Sequence, residues 1–106
     1  MSQHSAHEAL RLRIESLDKT IKWTEVLQLR IDSLDKAIES AIASGTPQSA
    51  INPAASALTS ARAMLRDINE GHPLDALTQK WLESEDSEVV AVAKSLASGD
   101  FESLRI

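Results

Sequence analysis

Cysteine is absent from this 106-residue chain. Disulfides, thiolate metal sites and cysteine nucleophiles are thereby excluded. Tyrosine is absent too, and the aromatic residues amount to one Phe and two Trp. The apolar 42% is therefore mostly Ala, Leu, Ile and Val. Ala and Leu are strong helix formers, so an all-α fold is expected. Three glycines are too few for a phosphate-cradling loop, and each stands where a helix would stop. No long apolar run exists. The longest, Val89-Val90-Ala91-Val92-Ala93, is far too short to span a bilayer. Met1 to Ser5 has neither a basic region nor an apolar signal core. These features predict a soluble, cytoplasmic protein with no membrane partner.

Excess positive charge is also missing. The formal net charge is -5, with Glu83, Glu85, Asp86 and Glu88 concentrating acidity toward the end. Nucleic-acid binding is disfavoured, because phosphate neutralisation needs a basic face. Those four acids lack the spacing and central Gly of a calcium loop, and suit a helix start instead.

One sequence is present twice. Leu10-Arg11-Leu12-Arg13-Ile14-Glu15-Ser16-Leu17-Asp18-Lys19-Thr20-Ile21 recurs seventeen residues later as Leu27-Gln28-Leu29-Arg30-Ile31-Asp32-Ser33-Leu34-Asp35-Lys36-Ala37-Ile38, with nine of twelve positions identical. Leu10, Ile14, Leu17 and Ile21 share one helical stripe, and Leu27, Ile31, Leu34 and Ile38 share another. Seventeen residues at about 100° each set the second stripe about a quarter-turn off the first. In heptad terms the step is a three-residue insertion. One continuous helix from Ala6 to about Ala43 accommodates this. So does a turn at Lys22-Trp23-Thr24-Glu25, with Thr24 as a new N-cap. The absence of Gly and Pro there favours the continuous helix. Ser5 and Glu8 form a capping-box pattern at its start. Glu15–Lys19, Asp18–Lys22 and Asp32–Lys36 are spaced as i,i+4 pairs.

Shorter helices are expected after Ser44-Gly45-Thr46-Pro47. Asn52-Pro53 reads as an N-cap and first turn, giving a helix over 53–70 with Ala54, Leu58, Ala61, Leu65 and Ile68 on its inner face. Further helices are expected over 73–83, with Leu74, Leu77 and Trp81 inward and Leu82 beside them, and over 87–97, with Val90, Ala93, Leu96 and Ala97 inward. Asp100 is placed to cap a last turn that buries Phe101 and Leu104. The architecture is a single domain, a long N-terminal helix with two to three shorter helices folded back as a bundle.

Little in the chain suggests chemistry. His4 and His7 stand three apart, but no third metal ligand converges on them, so no metal or other cofactor is expected. Arg66-Asp67-Ile68-Asn69-Glu70-Gly71-His72 resembles the Arg-polar-x-His motif of the HEPN family of helical ribonucleases. The resemblance implies Arg66 stabilising a phosphate, His72 transferring a proton and Asp67 as the polar partner, across a dimer cleft. The alternative is an exposed helix end in which His72 caps the next helix. Short motifs of this kind match often by chance. An enzyme is therefore disfavoured.

The length of the first helix motivates the leading expectation, a protein–protein interaction module that forms a homodimer or binds another protein. The later helices are too short to cover it, so Leu10, Ile14, Leu17, Ile21, Trp23, Leu27, Ile31, Leu34 and Ile38 are the candidate interface, in the manner of a coiled coil. An acidic inhibitor, antitoxin, immunity protein or secretion chaperone is a further alternative, because an acidic helical surface can mask a basic partner.

Overall fold

The computed structural model describes the backbone of residues 2–104 and the side chains of residues 7–104. The fold is all-α. Helix α1 runs Ser2–Ala43, α2 Gln48–Asn69, α3 Leu74–Leu82 and α4 Ser87–Ser98, followed by a 3-10 turn, Glu102–Leu104. No strand occurs among the described residues. At 1.5 Å per residue a helix of 42 residues is about 63 Å long. It sets the longest dimension of the molecule, 67 Å against 24 and 23 Å.

Helix α1 is continuous through Lys22–Glu25. Thr24 is not a cap; its hydroxyl donates to the Thr20 carbonyl at 2.8 Å, inside the helix. Helix begins at Ser2, so Ser5 lies within α1 rather than at its cap. The helix ends where expected. Gly45 adopts φ 75°, and the Thr46 amide donates to the Ala41 carbonyl at 2.9 Å. This left-handed termination turns the chain back along α1.

Helix α2 starts at Gln48, ahead of the expected boundary, and carries Pro53 inside it. Proline removes one backbone hydrogen bond there. Two contacts offset that loss: Ile51 is buried, and Gln48 donates to the Asn52 side chain at 2.9 Å. Burial thus overrides the local proline signal. Helices α3 and α4 form close to the expected boundaries. Leu74, Leu77 and Trp81 are buried on α3, with Leu82 beside them exposed; the inner face of α4 needs correction, since Val92 rather than Val90 or Ala97 is buried.

Two apolar clusters hold the bundle. The larger joins Trp23, Val26 and Leu27 of α1 to Met64 and Ile68 of α2, to Leu74, Leu77 and Trp81 of α3, and to Val92, Ala93 and Leu96 of α4. Leu104 closes it, and Asp100 caps the final turn by accepting from the Ser103 amide at 3.4 Å. Trp23 and Trp81 lie 6.2 Å apart between ring centroids, tilted by 33°. This is a favourable aromatic geometry. The smaller cluster joins Ile31 and Leu34 to Leu58 and Ala61, with Ile38, Ala54 and Ala57 at its margin. Both clusters use only the part of α1 from Trp23 onward. The part before it projects from the bundle as an arm.

Polar contacts fix the angles between helices. The Arg30 guanidinium donates to Glu88 of α4 and, at 3.1 Å, to the Leu104 carbonyl. Asp35 pairs with Arg62 of α2 at 3.1 Å. The buried Ser60 hydroxyl donates to Asp86 at 2.6 Å, and Asp86 caps α4 by accepting from the Glu88 amide at 3.0 Å. The Ser60 bond, then the Glu88 bond, hold the Asp86 carboxyl below its ordinary value of 3.8.

Candidate functional site

The arm is an amphipathic helix without a covering layer. Leu10, Ile14, Leu17 and Ile21 are 55, 50, 57 and 56% exposed, whereas Leu27, Ile31 and Leu34 are 0, 5 and 4% exposed. Large aliphatic residues at i, i+4, i+7 and i+11 form a stripe on one face. The stripe stops at Ile21. The next two positions that would extend it, Thr24 and Gln28, are polar. Contiguous apolar surface on a folded protein marks a contact site, whereas a single exposed Leu does not. Leu12, exposed elsewhere on α1, is of the single kind.

The nine residues expected to form an interface therefore divide. Trp23, Leu27, Ile31 and Leu34 are buried in the chain's own bundle, with Ile38 at its margin. They are not available to a partner, because α2, α3 and α4 already cover them. Leu10, Ile14, Leu17 and Ile21 remain.

Charge along the arm also differs from expectation. Glu15–Lys19, Asp18–Lys22 and Asp32–Lys36 do not close to ion-pair distance. Lys19 instead lies over the Trp23 ring, 5.1 Å from its centroid, and Lys22 over Phe101 at 5.3 Å. Arg11 pairs with Glu8 at 2.9 Å. Arg13 and Asp18 are exposed and have no ion-pair partner among the described residues. The i,i+4 spacing assigned Asp18 to Lys22 and did not single out Arg13. Aligning the two copies would have singled out both, since Arg13 corresponds to Arg30 and Asp18 to Asp35.

The residues of the HEPN-like motif have other occupations. Asp67 accepts from the Trp81 indole at 3.1 Å and from Lys80 at 3.2 Å, tying α2 to α3. His72 lies in the loop, 3.3 Å from Glu70, and caps nothing, because Pro73 holds the N-cap position of α3. Arg66 is exposed on the last turn of α2, and no hydrogen bond joins it to His72. His4 lies outside the described side chains, and no cluster of metal-ligating groups occurs among the described residues. A groove of about 330 Å³ beside α1 is lined by Val26, Leu29, Phe101 and Leu104 with Lys22 and Arg30. The Arg30 guanidinium there is already engaged by Glu88 and Leu104.

The fold and the surface define a class of molecule, a small helical bundle with a projecting amphipathic helix. No helix among the described residues is long and apolar enough to cross a membrane. No family model, curated protein or solved structure matches the chain.

Proposed function

We propose that the protein is a helical interaction module that self-associates through the arm of α1. One observation carries this reading: four large aliphatic residues in a row on one face, each about half exposed, outside both apolar clusters of the described residues. Exposed stripes of this kind are costly in water, and covering them drives association. A second copy is a sufficient partner, because it presents the same stripe.

Sedimentation equilibrium tests the reading. A dimer is expected at micromolar concentration, and Leu17→Asp should return it to monomer without lowering the unfolding temperature of the bundle. A wild type that stays monomeric throughout the micromolar range overturns it.

A further inference from the structure

From the two copies of the repeat we infer that the arms pair as a parallel, in-register, two-stranded coiled coil. The inference rests on the self-association proposed above and adds the orientation and register of the partner. Written as a heptad, the stripe places Leu10 and Leu17 at d, and Ile14 and Ile21 at a. In a parallel pair each layer is formed by one residue and its own equivalent. The layers here are Leu on Leu and Ile on Ile, without mixing, and β-branched residues at a with Leu at d favour two strands. In an antiparallel pair every layer would instead combine Leu with Ile.

The flanking charges agree. Arg13 falls at g, and Asp18, five residues on, falls at e. Across a parallel seam g faces the following e of the partner, so Arg13 of one copy meets Asp18 of the other, twice by symmetry. An antiparallel pair would have to use Arg11 for Asp18, and Arg11 is occupied by Glu8 at 2.9 Å. Arg13 and Asp18 have no ion-pair partner among the described residues. The second copy of the repeat shows how their equivalents behave when covered. Arg30 is paired with Glu88 and Asp35 with Arg62, each on a helix packed against α1. In the bundle these positions are met by the helices that cover the stripe; on the arm the covering helix is the partner's α1.

Geometry permits the arrangement. The buried face at Leu27, Ile31 and Leu34 lies about a quarter-turn from the exposed stripe. A two-fold axis along the seam therefore sets the two bundles on opposite flanks. Thr24 and Gln28 occupy the next seam positions, so the helices part as they enter the bundles. A seam this short lies toward the small end of interface sizes, which fits micromolar association.

The cysteine-free chain allows a clean test. L10C should form an interchain disulfide on mild oxidation, because each residue faces its equivalent. L12C, on the outer face, should not. In an antiparallel pair the two copies of residue 10 would stand about 16 Å apart, beyond disulfide reach. Cross-linking of L10C only with I21C would therefore overturn the parallel register while leaving self-association intact. Monomeric sedimentation of the wild type would remove both. Charge exchange gives an independent reading. R13D and D18R should each weaken the dimer about tenfold, and R13D/D18R should restore it. A double variant no tighter than the single ones overturns the proposed pairing.

Discussion

Two stretches of α1 carry nearly the same sequence and meet opposite fates. In the second copy, Leu27, Ile31 and Leu34 are core residues. In the first, the equivalent Leu10, Ile14 and Leu17 stand in water. The polar positions diverge in the same way, with Arg30 and Asp35 paired to other helices and Arg13 and Asp18 without an ion-pair partner among the described residues. Helical periodicity is identical in both, so it does not decide burial. What decides it is reach. The elements α2, α3 and α4 hold 22, 9 and 12 residues and pack against α1 from Trp23 onward. An apolar stripe states that something must cover it, not which chain supplies the cover.

Matched substitutions in the two copies would break or sharpen this contrast. The largest effect is expected for Leu27→Ala, which empties a fully buried site and should cost about 2–5 kcal/mol of stability in denaturant unfolding. Leu10→Ala, its counterpart, should stay within about 0.5 kcal/mol for the monomer while weakening the dimer. Equal costs in dilute monomer would mean that the arm is covered within its own chain. Next is Arg30→Met, expected to cost about 1.5–3 kcal/mol, since Glu88 and the Leu104 carbonyl lose a charged donor. Arg13→Met should leave the monomer unchanged. Asp35→Asn should cost at most about 1 kcal/mol, because its pair with Arg62 is exposed. Asp18→Asn should again appear only in the dimerisation constant.

Acid provides the smallest probe, and at Asp86 it acts within the bundle. The Asp86 carboxyl is held below 3.8 in the folded chain, chiefly by Ser60. Its stabilising contribution is therefore complete above 3.8 and is lost as pH falls through the lower folded value. Ser60→Ala should flatten the dependence of the unfolding midpoint on pH below 3.8, with little change in slope above it. An unchanged acid slope would show that the Ser60 bond does not govern the carboxyl.

Much of the fold was legible because its signals are local. Gly45, Gly71 and Gly99 mark the stops with positive φ, and four-three spacing marks the inner faces of α2 and α3. Pro53 misled because the rule for proline concerns the backbone alone, while Ile51 gains burial from helix on the near side. On α4, five consecutive small aliphatic residues from Val89 to Ala93 leave the inner face underdetermined, and only the neighbouring helices select Val92. The candidate surface was half legible. All nine stripe residues are apolar helix faces, but the division at Trp23 depends on where three later helices end. The lysines of the arm were misassigned for a related reason: Trp23 and Phe101 offered them rings that helical spacing does not reveal.

The Trp23–Trp81 pair makes the two regions separately observable. Both indoles of the chain sit in the larger cluster, 6.2 Å apart, and the arm before Trp23 has no aromatic side chain. Near-ultraviolet dichroism and tryptophan emission therefore report the bundle and, of the arm, only its last turn, where Lys19 lies over Trp23. Far-ultraviolet dichroism reports helix in both. On dilution, far-ultraviolet signal that falls while the indole signals hold steady would isolate an arm that unwinds when its partner leaves. The molecule thus contains its own internal reference, against which the order of its first twenty residues can be read without a label.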